Sequence, residues 1–153
     1  MAVKVAIAGS RALPPGLAPR LLVRFLAKLP EDATILLRRP FWIETAKPGQ
    51  FELDVERVCT ILHLRVEWRI PNPEETPGRA SVFVRDIEMV EHADLLLAFF
   101  LKEDWMSSSS GTTHLVEKAL ESDTAVYAYK VDGDVVDLVG EHDPDGGWWK
   151  FFE

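Results

Sequence analysis

Two separated stretches of this chain share one pattern, and no other feature constrains its fold as tightly. Val3-Lys4-Val5-Ala6-Ile7-Ala8 runs into Gly9-Ser10-Arg11, and Leu95-Leu96-Leu97-Ala98-Phe99-Phe100 leads on to Ser107-Ser108-Ser109-Ser110-Gly111-Thr112-Thr113. Each is a short apolar run that gives way to small, hydroxyl-bearing residues and then to an amphipathic stretch. A short run apolar on both faces is the pattern of a central strand covered by helices on each side. In a parallel sheet this order places a loop and a helix N-terminus at the strand's carboxyl end. Free backbone N–H groups and the positive end of the helix dipole favour an anion there, most often a phosphate. Two such loops predict one crevice that both of them face.

The rest of the chain repeats the alternation. Leu17, Leu21, Leu22, Phe25, Leu26 and Leu29 recur at helical spacing, with Arg20, Arg24 and Lys28 on the outer face, and Pro30 ends the helix. Thr34 to Leu37 reads as a second strand that stops at Arg38-Arg39-Pro40, and Phe41 to Gln50 reads as a long loop. Phe51 to Leu62 reads as a helix and Leu64 to Ile70 as a third strand. After a turn-rich loop over residues 71–78, a helix carries Phe83, Val84, Ile87 and Val90 on one face. Leu95 to Phe100 is the fourth strand. A helix through Leu115, Val116, Ala119 and Leu120 follows, then a fifth strand from Ala125 to Val131. The Asp132-Gly133 turn signal allows an antiparallel edge strand from Val135 to Val139.

The expectation is an α/β fold: one doubly wound, mostly parallel sheet of about five strands with helices on both faces and that edge strand added. A single domain spans residues 1–153, with an aromatic tail over 141–153. In such sheets ligands bind outside the carboxyl ends of the strands, where the winding reverses. The first strand and Leu95–Phe100 flank that point.

Composition narrows the function. At 153 residues, 47% hydrophobic and 27% charged, the chain is long and apolar enough to bury a core. No apolar run approaches the roughly 20 residues that span a bilayer, and Val3 enters a strand where a leader would be basic and then apolar. Cys59 is the only cysteine, so no intrachain disulfide can form and a cytoplasmic setting is expected. A net charge of −8 argues against nucleic acid as the main partner. It leaves room for a phosphate ligand, since a few arginines dominate a crevice within a Debye length of about 10 Å.

The chain has no G-x-G-x-x-G and no G-x-x-x-x-G-K-[ST], so neither a standard dinucleotide fingerprint nor a P-loop is present. The serine loop suits a flexible linker or an anion site; Gly111-Thr112-Thr113 opening a helix directly after it favours the anion site. A glycine at 111 lets the backbone approach the anion closely and permits a positive φ. Arg85 reads as a surface arginine or a ligand contact, and Asp86 as its partner or an acceptor for a ribose hydroxyl. Arg38 or Arg39, at a strand's end, faces the same crevice. His63, His92, His114 and His142 show no zinc spacing, so neither a metal nor another cofactor is expected. His114 and Glu117 read as a solvated helix face, and Cys59 as a buried structural thiol. Trp148, Trp149, Phe151 and Phe152 are expected to pack on the body or on a neighbouring subunit.

Ile7-Ala8-Gly9-Ser10-Arg11 is similar to the G-S-R that ends the first strand of YspA-like proteins. Val84-Arg85-Asp86-Ile87-Glu88-Met89-Val90-Glu91-His92-Ala93-Asp94 resembles the R-[KN]-x-x-M…[SA]-D stretch of the wider SLOG superfamily, which also holds DprA-like proteins and the LOG phosphoribohydrolases. Ser109-Ser110-Gly111-Thr112 stands where the LOG group carries G-G-x-G-T. The resemblance covers roughly Val3 to Lys130. It implies a Rossmann-like sheet and a nucleotide-derived ligand, a nucleoside monophosphate or an ADP-ribose-like molecule, with Arg85 on phosphate or ribose and Gly111-Thr112 cradling the phosphate. It also raises the expectation of a homodimer. The chain departs from LOG proteins in carrying Leu115 where their catalytic glutamate stands; Glu117 lies two positions on, about 200° around a helix.

Residue reading and resemblance together give Gly9, Ser10, Arg11, Arg38, Arg85, Asp86, Ser109, Ser110, Gly111, Thr112 and Thr113 as candidates for ligand and phosphate binding. The first expectation is a binding module or ligand sensor. The second is a phosphoribohydrolase using Arg85, with Glu117, Asp86 or Glu44 as its carboxylate. The third is a scaffold that binds a protein partner and no ligand.

Overall fold

The computed structural model describes residues 3–10, 13, 16–38, 50–70, 80–105, 111–133 and 135–148. Within them run β1 (Lys4–Gly9), α1 (Leu17–Ala27), β2 (Thr34–Arg38), α2 (Gln50–Ile61), β3 (Arg65–Arg69), α3 (Ala80–His92), β4 (Leu95–Leu101), α4 (Gly111–Glu121), β5 (Ala125–Asp132) and β6 (Val135–His142). A short 3-10 turn, Lys102–Asp104, follows β4.

The six strands form one sheet in the order β3-β2-β1-β4-β5-β6. Every pair is parallel except β5–β6, which is antiparallel with a register irregularity between Ala128 and Tyr129. The chain winds outward from β1 to β3, then returns through α3 to lay β4 against the other side of β1. That return is the reversal of winding at which open α/β sheets bind ligands.

Strand alternation divides the core in two. Val5, Ile7, Ile35, Leu37, Leu95, Leu97 and Phe99 face Leu22, Phe25 and Leu26 of α1 and Phe51, Val55, Val58 and Cys59 of α2. Ala6, Ala8, Leu36, Leu96, Ala98 and Phe100 face Met89 and Val90 of α3 and Leu115, Val116 and Ala119 of α4. The period of two along a strand dictates this sorting. Burying a large aliphatic side chain is worth about 1.5–3 kcal/mol, so a one-residue slip of register is strongly opposed.

Gly16, at φ 80°, starts α1, and its N–H donates to Asp54 Oδ2 at 3.0 Å, tying the start of one helix to the side of the next. The side chains of Leu17, Leu21 and Arg24 lie outside the described set. Trp148 packs against the first core cluster, and its N–H donates to Asp143 Oδ2. Trp149, Phe151 and Phe152 lie outside the described residues. Among the described residues no helix is long and apolar enough to cross a membrane.

Helix α3 corrects one expectation. Phe83 and Val84 do not face the core; they are 49% and 38% exposed. The buried face is Ser81, Arg85, Asp86, Met89 and Val90. An ion pair takes the place two hydrophobic residues were expected to fill. Apolar spacing misleads here because a charge can be buried when another charge and a backbone carbonyl satisfy it. Leu120 of α4 is likewise exposed.

Candidate functional site

The carboxyl ends of β1 and β4 are stitched together just beyond their ladder. The Ser10 N–H donates to the Phe99 carbonyl at 3.0 Å, and Ser10 Oγ accepts from the Leu101 N–H at 3.2 Å. Ser10 is buried at these strand ends. Gly9 beside it is fixed by packing: a Cβ there would lie 2.5 Å from Leu13 Cδ1 and 2.6 Å from Phe51 Cδ1.

Arg38, the last residue of β2, reaches across these strand ends. Its Nη2 donates to the Gly9 carbonyl and to Thr112 Oγ1, each at 3.2 Å, and lies 3.6 Å from Glu52 Oε1. One guanidinium thus meets β1, the first turn of α4 and the first turn of α2. Gly111 opens α4, and a Cβ on it would come 3.1 Å from Arg38 Nη1. The backbone at Gly111 does not use the positive φ that glycine permits. A side chain here would have to displace the Arg38 guanidinium by a few tenths of an ångström. Thr112 and Thr113 are both buried at the same helix end.

A second cation lies beyond. Arg85 Nε donates to Asp86 Oδ1 at 2.7 Å, and Arg85 Nη1 donates to the Arg69 carbonyl at 3.3 Å. The Arg85 side chain is 8% exposed and that of Asp86 2%, so the surface-arginine reading is corrected. Burial lowers the pKa of Arg85; the Asp86 charge opposes that shift and the Arg38 charge adds to it. Arg69 is the register partner of Arg38 across β2 and β3. Three arginines therefore gather at one edge, balanced by Glu52, Asp86 and Glu67, the last 3.3 Å from Arg69 Nη2.

Asp86 Oδ2 lies 3.0 Å from His114 Nδ1. The expectation that His114 belongs to a solvated helix face is corrected: it is half-buried, with its ring against that of Phe83 at a centroid distance of 4.6 Å and an interplanar angle of 64°. Asp86 is engaged on both oxygens, by Arg85 and by His114. Glu117 is exposed one turn further along α4 while Leu115 is fully buried, as the 200° between them requires.

The structure thus gathers Gly9, Ser10, Arg38, Gly111 and Thr112 directly, with Thr113 at the same helix end. It places Arg85 and Asp86 beside them and leaves Glu117 out. Arg11, Arg39, Glu44, Ser109 and Ser110 lie outside the described residues. Sequence reasoning missed Glu52 and the engagement of His114. Glu52 is a carboxylate in a first helical turn, a stabilising position for negative charge that needs no ligand to explain it.

A depression of about 230 Å³ lies at the opposite, amino-terminal side of β4 and β5, lined by Glu91, Asp94, Asp123, Asp143 and Asp145 among others. Its carboxylates repel an anion, and it is remote from the reversal of winding, so chemistry favours the arginine edge. Among the described residues no group of three or more His, Cys, Asp or Glu is placed to hold a metal ion. No family model, curated protein or solved structure matches the chain.

Proposed function

We propose that this chain is a small SLOG-like binding module that captures a nucleotide-derived ligand, a nucleoside monophosphate or an ADP-ribose-like molecule, by its phosphate. The carrying observation is Arg38, held on the Gly9 carbonyl and Thr112 Oγ1 at the N-terminal turn of α4. A guanidinium beside the N–H groups and positive dipole end of a helix's first turn is a strong donor array for a phosphate oxygen. It stands at the carboxyl ends of the strands, where the winding reverses. Arg85 supplies a second positive charge behind it.

Binding is better supported than hydrolysis. A phosphoribohydrolase needs a carboxylate free to act at the sugar. Among the described residues, Asp86 is bound on both oxygens, Glu52 is paired with Arg38, and Glu117 is exposed on the next turn of α4; Glu44 lies outside them. A cytoplasmic setting and assembly as a homodimer belong to the same proposal; light scattering tests the second.

Thermal unfolding of the full chain against a nucleotide panel tests the binding reading. A ligand present at 100 times its Kd stabilises the native state by about 2.7 kcal/mol. AMP or ADP-ribose should raise the melting temperature while the corresponding nucleoside does not. Equal effects of nucleotide and nucleoside would remove the phosphate from the account. Release of free base from AMP would restore the hydrolase reading.

A further inference from the structure

We propose that Phe83 and His114 form the seat for an aromatic base, adjoining the phosphate seat at Arg38 and the start of α4. This rests on the nucleotide reading above and adds that the ligand is recognised at both ends. Phe83 stands in the first turns of α3, off that helix's buried face, and the residue is 49% exposed. A single exposed phenylalanine is ordinary on a protein surface. This one is held in place by a continuous chain of contacts. Its ring meets the His114 ring at 4.6 Å and 64°, His114 Nδ1 meets Asp86 Oδ2 at 3.0 Å, and Asp86 Oδ1 accepts from Arg85 Nε at 2.7 Å.

Each link fixes the next. Arg85 and Asp86 are buried and set the imidazole's position, and the imidazole sets the orientation of the phenyl ring. A ring held in this way has little rotamer freedom left to lose on binding. Every nucleobase has a π-face, so an ordered aromatic ring accepts any of them by stacking.

Position supports the same role. His114 lies two residues beyond Thr112, whose hydroxyl accepts from Arg38. The His114 side chain leaves α4 about 200° around from that of Thr112, and the link to the phosphate seat runs through Arg85, whose Nη1 donates to the carbonyl of Arg69, the register partner of Arg38. A ligand with its phosphate at Arg38 and an aromatic base at Phe83 matches that layout.

Calorimetric titration of the full chain with inorganic phosphate, ribose 5-phosphate and AMP tests the inference. AMP should bind roughly ten- to a hundredfold more tightly than ribose 5-phosphate, the increment that stacking of one base supplies. Phe83→Ala should bring AMP down to the ribose 5-phosphate level and leave ribose 5-phosphate unchanged, while Phe83→Trp keeps the increment. Thermal unfolding of each variant establishes that it folds. Equal affinities of the parent for AMP and ribose 5-phosphate would overturn the base seat and leave the phosphate site standing. So would a Phe83→Ala variant that weakens both ligands alike. If none of the three ligands binds, the nucleotide reading itself is overturned and the base seat with it.

Discussion

Arg38 Nη2 and Thr112 Oγ1 lie 3.2 Å apart, joining positions separated by 74 residues across the end of β1. Neither residue is needed there to fill the hydrophobic core. Their contact places a guanidinium at a helix N-terminus, the arrangement from which the functional reading grows.

Replacing Arg38 should reveal two separable effects. Glu52 is only 5% exposed and would lose its cation. Arg38→Met is therefore expected to destabilise the fold by about 1–3 kcal/mol, the cost of leaving a buried polar group unsatisfied. Adding Glu52→Gln should restore much of that stability in denaturant unfolding. Anion affinity should stay low in both variants. Recovery of affinity together with stability would make Arg38 a purely structural residue.

Arg85 carries a larger structural share than a surface arginine would. Its removal leaves the buried Asp86 carboxylate with His114 as its remaining partner, and breaking a buried pair costs about 3–5 kcal/mol. Arg85→Ala should lower the unfolding midpoint sharply. Arg85→Leu combined with Asp86→Leu should cost less than the sum of the two single changes, since no lone charge remains. Additive costs in that cycle would show that the 2.7 Å pair contributes nothing.

Gly9 is required by packing. Gly9→Ala drives a methyl group to within 2.6 Å of the Phe51 ring, and overpacking of this kind costs about 1–3 kcal/mol. Chemical denaturation of the variant measures this. An unchanged midpoint would mean that Leu13 and Phe51 yield freely.

Cys59 predicts behaviour at high pH. Burial raises its thiol pKa from 9.0 to about 12, and Glu56 adds to the shift. The folded state keeps the proton that the unfolded chain releases, so the stability from this group is present below pH 9 and is lost between there and about 12. Tyr127, raised from 10.0 to about 12 by burial and by its hydrogen bond to Asp143, steepens the upper part of the fall. Cys59→Ala should flatten the stability profile just above pH 9. In the native protein the thiol should resist alkylation at neutral pH and react only after unfolding; rapid native modification would contradict its burial.

The strands, the helices on both faces and the reversal between β1 and β4 were all legible, because period-two and period-3.6 patterns report directly on which face is covered. Gly111-Thr112 and Arg38 could be placed at the crevice because topology alone brings those strand ends together. The pairing of Arg85 with Asp86 was one of the readings the sequence offered, but the burial of that pair could not be read. On hydrophobic spacing Phe83 and Val84 look like core, and only tertiary neighbours such as the Arg69 carbonyl and His114 reveal that the charged side of α3 faces inward. Glu52 and His114 escaped for the same reason: each is an ordinary helix-terminal residue until its partner, 14 residues back in the sequence for one and 28 for the other, is known.

Amide chemical-shift mapping during titration with AMP tests the central claim most directly. The Arg38 site predicts the largest changes at the Gly111, Thr112 and Thr113 amides and at the Arg38 side-chain N–H, with small changes around Asp94, Asp123 and Asp143. Changes centred on that acidic depression, or none at saturating AMP, would contradict an anion site at the start of α4.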